Sequence, residues 1–113
     1  MKSRLAFLAV VALLTSGCSD LLGSKVVVRN QSSQPLEQVS ADFGGVIVNA
    51  PDIPPGASAT MSGEAQRDGD LPLTFHKAGV RTVVPLGYIT PNIMLRCTVI
   101  VTDADVTTHG ECS

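Results

Sequence analysis

Residues 93–102, IMLRCTVIVT, decide the fold. Apolar side chains fall at Ile93, Leu95, Cys97, Val99 and Val101, while Met94, Arg96, Thr98, Ile100 and Thr102 occupy the other face. Successive side chains of a strand point to opposite faces, so an apolar set at every second position predicts a strand with one face on a core. Its β-branched residues favour a pleated backbone. Val106–Cys112 follows as a shorter strand-like run. A turn at Ala104-Asp105 sets Cys97 opposite Cys112, Val99 opposite Gly110 and Val101 opposite Thr108. Directly opposed residues of an antiparallel pair come close enough for a disulfide. Closing a loop of about 15 residues contributes about 3 kcal/mol in chain-entropy terms.

The same period runs back through the chain. Lys25–Asn30 (KVVVRN) is β-branched and ends in the polar turn Asn30-Gln31-Ser32-Ser33. In Leu36–Phe43, Val39, Ala41 and Phe43 alternate with Ser40 and Asp42; Gly44-Gly45 then breaks the run before Val46-Ile47-Val48. Pro51-Asp52-Ile53-Pro54-Pro55-Gly56 reads as a rigid loop, because proline fixes φ and lacks a donor. Ala57, Ala59 and Met61 alternate with Ser58, Thr60 and Ser62. Asp68-Gly69-Asp70 reads as a hairpin turn within the polar segment Gly63–Asp70. Leu71, Leu73 and Phe75 form a further strand, which Pro72 assigns to a sheet edge. Gly79 turns the chain into Val80–Leu86, and Gly87–Asn92 (GYITPN) reads as a loop.

Seven to eight short strands punctuated by Gly and Pro predict an all-β domain, a small antiparallel two-sheet sandwich spanning residues 25–113. VVVRNQSSQPLEQVSADF, followed by IPPGASATMS, resembles the opening of bacterial immunoglobulin-like modules. That resemblance implies an immunoglobulin-like sandwich and no particular activity.

The N-terminal segment differs in kind. Lys2 and Arg4 precede an apolar run from Leu5 to Leu14, too short for a stable span of about 20 residues but suited to a cleaved signal helix. Leu14-Thr15-Ser16-Gly17-Cys18 resembles the lipobox of bacterial lipoproteins, with Thr15 where Leu is usual. The resemblance implies cleavage between Gly17 and Cys18, so residues 1–17 are the signal peptide. It also implies a diacylglycerol on the Cys18 thiol and an N-acyl chain such as palmitate on its new amino group. Several acyl chains together hold a protein on a bilayer, which one alone does not. Ser19, rather than Asp, directly after the cysteine is similar to lipoproteins sorted to the periplasmic face of the outer membrane; Asp20 leaves the inner membrane as the lesser expectation. Residues 18–24 are then the anchor and tether, and the six from Ser19 to Ser24 reach roughly 20 Å at most.

Of 113 residues, removal of the first 17 leaves 96, with six basic and ten acidic side chains and a net charge of −4. Nucleic-acid binding needs a basic face and is not expected. Cys18 consumed, Cys97 and Cys112 are left to pair in an oxidising compartment. No G-x-S-x-G elbow is present, and the two histidines, His76 and His109, lie on strand-like runs without nucleophile partners. His109, Glu111, Asp103 and Asp105 cluster in sequence, yet their spacing does not gather three preorganised metal ligands. Glu64, Asp68 and Asp70 lack the spacing of a calcium loop. Among the aromatics, Phe43 and Phe75 read as core. Tyr88 reads either as a structural corner or as a contact residue.

No catalytic residue, metal site or cofactor is therefore expected beyond the lipid on Cys18. The expectation is a non-catalytic envelope lipoprotein that binds a protein partner near the membrane through loops or a strand edge. Anchored β-sandwich components of secretion and assembly machines resemble this arrangement. The alternative is a protective immunity or inhibitor lipoprotein that neutralises an incoming basic toxin or enzyme.

Overall fold

A computed structural model describes residues 23–112; the expected signal peptide, the expected processing residues Gly17 and Cys18 and the expected tether up to Leu22 lie outside the described residues. Eight strands form among them: β1 (Ser24–Asn30), β2 (Leu36–Phe43), β3 (Val46–Ala50), β4 (Ser58–Gly63), β5 (Gly69–Lys77), β6 (Val80–Ile89), β7 (Arg96–Val101) and β8 (Val106–Gly110). They make two four-stranded sheets, β4-β1-β7-β8 and β3-β2-β5-β6. The all-β sandwich expected from the alternation is what forms. In the constant-type immunoglobulin order the first, second, fourth and fifth strands share a sheet, whereas here β1 and β2 belong to opposite sheets. The likeness is one of architecture. Within the first sheet β1 runs antiparallel to β4 and parallel to β7.

The inward faces meet as the period-two pattern requires. Val26 and Val28 of β1, Val39, Ala41 and Phe43 of β2, Leu71, Leu73 and Phe75 of β5, and Val99 and Val101 of β7 are buried together. The chain passes from one sheet to the other right after β1, at Asn30. Its buried carboxamide donates from Nδ2 to the carbonyls of Gln34 and Ile53, both at 2.8 Å. Its Oδ1 accepts from Ser32 N at 3.0 Å and Ser32 Oγ at 2.6 Å. The amide thus makes four bonds in a place closed to water, where an unpaired group is costly. At the same end of the sandwich, Asp103 of the β7–β8 turn accepts from Ser33 N and Oγ at 2.8 and 2.9 Å. Those donors hold the Asp103 carboxyl below its usual range.

Five local expectations are corrected. Pro72 does not mark an edge, since β5 lies between β2 and β6. It is tolerated because it stands at a register shift opposite Pro85, and the pairing of β5 with β2 ends at Leu73. Asp68-Gly69-Asp70 is not a hairpin turn. Residues 64–68 carry the chain between sheets, and Gly69 and Asp70 already pair with Ile89 and Tyr88. GYITPN is likewise not all loop, because β6 continues to Ile89. Ile93 does not extend the inner face of β7. It is 54% exposed, because the chain reverses through Thr90–Ile93, where Ile93 N donates to Thr90 O.

The last correction concerns the β7–β8 register. Cys97 faces Gly110, Val99 faces Thr108 and Val101 faces Val106, so the turn centres on Asp103-Ala104. Thr102 and Asp105 set it there. Thr102 N donates to Asp105 O at 2.9 Å and Asp105 N donates to Thr102 Oγ1 at 3.0 Å. The disulfide nevertheless joins Cys97 to Cys112, with Cα atoms 5.4 Å apart. Gly110, at φ +91°, lets the chain kink so that Glu111 N donates to Arg96 O. A Cβ at Gly110 would lie 2.6 Å from that same carbonyl oxygen, so this step needs glycine.

Two outcomes test this account. Asn30→Ala removes four hydrogen bonds from a buried place, leaving Ser32 N unpaired and the Gln34 and Ile53 carbonyls with one donor each, Ser32 Oγ and Leu36 N; it is expected to lower stability by roughly 2–3 kcal/mol, read from urea unfolding, and an effect near zero would remove Asn30 from its central place. Replacing both Cys97 and Cys112 by Ala is expected to cost about 3 kcal/mol, with oxidised and reduced wild type differing by a similar amount in the same assay.

Candidate functional site

Sheet β3-β2-β5-β6 turns an outward face to solvent whose residues follow from the register. Asn49, Ser40, Thr74 and Val83 form one cross-strand row, and Glu37, His76 and Arg81 form a second. A shallow depression of about 530 Å³ on this face is lined by Gln38, Ser40, Asn49, Thr74, His76 and Arg81. Gln38 creates its curvature. The pairing of β2 with β5 slips between Glu37 and Ser40, and Gln38 adopts φ +50°. The bulge follows from the core, because Leu36 and Val39 are three apart yet both buried, which a regular strand cannot arrange.

A second bulge positions Tyr88. Asp70 faces Tyr88 while Pro72 faces Pro85, so Leu86 and Gly87 together oppose Leu71. Gly87 takes φ +120°, a value that side-chain-bearing residues rarely adopt. Without this insertion the inward sequence Val84, Leu86 would continue to Tyr88. With it, Ile89 turns into the core and Tyr88 turns out, to 58% exposure. Tyr88 therefore stands on a strand as an accessible side chain, neither in a loop nor at a buried corner.

The strand that carries it is an open edge. β3 and β4, from opposite sheets, lie against each other and close one side of the sandwich. On the other side, among the described residues, β6 pairs with β5 alone and extends for ten residues. Val80, Val83 and Tyr88 along it are all substantially exposed. A long edge with unpaired backbone groups and apolar side chains is a template for adding another strand. Sequence reading did not single out Val80 and Val83. The signal for them is the run from Thr82 to Leu95, which carries no charged residue.

The remaining candidates separate. His76 lies half-buried on β5 and His109 is exposed on β8, in opposite sheets. Among the described residues no three His, Cys, Asp or Glu side chains gather in a group able to hold a metal ion. Glu111 accepts from Arg96 N at 3.0 Å and is used in closing the end of β7. Gln, Ser, Thr and Asn side chains with Arg81 and His76 give the depression hydrogen-bond donors and acceptors, a surface suited to binding polar backbone or side chains.

The chain matches no known protein family and no curated protein sequence. Among solved structures it is similar to a protein from Eubacterium rectale determined by NMR, at 13% identity and a TM-score of 0.56, over 80% of this chain and 89% of that one. At that identity the likeness concerns the fold.

The bulge makes a prediction that separates contact from structure. Tyr88→Ala is expected to change stability by less than about 0.5 kcal/mol, whereas Gly87→Ala, which forces a side chain into φ +120°, is expected to cost about 1–2 kcal/mol. Thermal or urea unfolding of the two variants compares them directly; a large loss on Tyr88→Ala would return Tyr88 to a packing role.

Proposed function

We propose that this chain is a membrane-anchored, non-catalytic lipoprotein of the bacterial envelope whose sandwich binds another protein through the β6 edge. The observation that carries the anchor is the passage Leu14-Thr15-Ser16-Gly17-Cys18 after a ten-residue apolar run, with a basic start at Lys2 and Arg4. The residues implied in processing are Gly17 and Cys18. The lipid on Cys18 is a diacylglycerol with an added N-acyl chain, and the location is the periplasmic face of the outer membrane. The disulfide between Cys97 and Cys112 accords with an oxidising compartment.

Binding by strand addition draws support from the length of β6, its single partner and the apolar side chains along it. Backbone hydrogen bonds supply affinity in such complexes, and side chains on alternate positions supply selection. Val83 and Tyr88 are the selecting positions, and the neighbouring polar depression with His76 and Arg81 gives the partner's side chains hydrogen-bonding groups.

In-cell photocrosslinking tests the reading. A crosslinking amino acid at Val83 or Tyr88 is expected to capture one envelope protein. The same group at Thr60, on exposed β4, is expected to capture none. Metabolic palmitate labelling is expected for the natural chain and lost in Cys18→Ser, together with the capture. Capture at Thr60 alone would overturn the edge assignment. No capture in growing cells, with labelling intact, would move the function to a protective lipoprotein that meets its toxin or enzyme target only on challenge.

A further inference from the structure

Three apolar residues lie at one end of the sandwich, the end where the chain enters it. β1 starts at Ser24, and β6 finishes beside the start of β5, where Ile89 faces Gly69. The connection from β6 to β7 then crosses next to the entry point. Leu95 N donates to Ser24 Oγ at 2.9 Å, and Lys25 N donates to Leu95 O at 2.8 Å. A small cavity of about 160 Å³ lies there, lined by Gly23, Ser24, Glu64, Thr90, Ile93 and Met94. Ile93 is 54% exposed and Met94 51%. Tyr88, exposed on the last turn of pleat of β6, is at the same end.

We propose that the connection Thr90–Leu95 is a membrane-contact loop, in which Ile93 and Met94 enter the headgroup–acyl boundary of the leaflet that holds Cys18, with Tyr88 at its rim. This inference rests on the lipoprotein reading above. Distance commits it to lipid. Four residues, five steps of the chain, separate Cys18 from Gly23, so Gly23 cannot stand more than roughly 18 Å from the acylated residue. Composition agrees, because no charge interrupts the fourteen residues from Thr82 to Leu95. Apolar side chains partition into the boundary region, and an aromatic ring with a hydroxyl suits the headgroup level.

Two half-exposed side chains are less than one acyl chain, which itself binds only marginally. The loop therefore acts on a domain already tethered, where the anchor keeps it at high effective concentration over the bilayer. Its effect is orientation. With this end down, β6 stands up from the membrane with its edge reachable from the side.

The experiment uses the full lipidated protein, purified from membranes and reconstituted in vesicles of three parts phosphatidylethanolamine to one part phosphatidylglycerol. Met94→Cys and Ala104→Cys each add a single free thiol, the latter in the turn at the far end, and each is labelled with an environment-sensitive fluorophore. Flotation with the vesicles scores the anchor separately. Emission from the label at position 94 is expected to be at least about twofold higher and shifted to the blue relative to the label at position 104 in the same vesicles, and to be quenched by spin-labelled acyl chains, as for an interfacial residue. Floating protein whose position-94 label remains as wet as that at position 104 overturns the loop and leaves the anchor intact. A dry label that lipid-borne quenchers do not reach overturns the lipid assignment in favour of cover by protein, including residues Leu21 and Leu22 of the tether. Failure to float overturns both the anchor and the loop.

Discussion

Everything in this sandwich depends on the chain changing sheets between β1 and β2, and Asn30 makes that change. A strand followed by a short polar turn would by default fold back as a hairpin. Here the turn is held instead by a buried carboxamide that gathers Ser32, the Gln34 carbonyl and the Ile53 carbonyl. Ile53 N and O bond in turn to Leu36 O and N, so the proline-flanked loop is stitched to the start of β2. A buried polar group with all its valences used fixes one geometry among many that a hydrophobic contact would tolerate. Once β2 is committed to the far sheet, β1 has free edges on both sides, and β4 and β7 fill them.

The pairing of β1 with β7 has a long reach. Lys25 faces Arg96, with most of the domain between them in sequence. A contact of that separation carries the closure entropy of the intervening chain. β7 is also the strand that carries the disulfide, which ties it to the tail after β8. The bridge thus strengthens the element on which the first strand depends.

Much of this was legible in the sequence, and what was not has particular causes. The strands follow from period-two alternation, from the β-branched runs at Lys25–Asn30 and Val46–Val48 and from the Gly and Pro between them, and Val39, Ala41, Phe43, Leu71, Leu73, Phe75, Val99 and Val101 are core residues as their spacing requires. The cysteine pair is legible for a reason apart from register, since reading Cys18 as a lipidation site leaves Cys97 and Cys112 to join. The register itself was not, because side-chain bonds between Thr102 and Asp105 move the turn by a residue and the glycine at 110 restores the reach. The bulges at Gln38 and Gly87 escape a reading that assumes uniform alternation, although apolar residues three apart at Leu36/Val39 and Leu86/Ile89 encode them. Ile53 was hidden by its prolines. Pro72 misled because a proline at a bulge, opposite another proline, costs a central strand no ladder bond. For the candidate site, Tyr88 stood out by composition alone, while Val80, Val83 and the depression around His76 needed the sheet.

The position of β1 also has a mechanical meaning. It is the first strand of the described residues, and it lies inside its sheet, bonded to β4 on one side and β7 on the other over six rungs each. A pull on its N-terminal end along the strand loads both ladders in shear, so the rungs share the load and fail together. An edge strand pulled crosswise would instead unzip one rung at a time. A force applied at this end therefore meets both ladders at once.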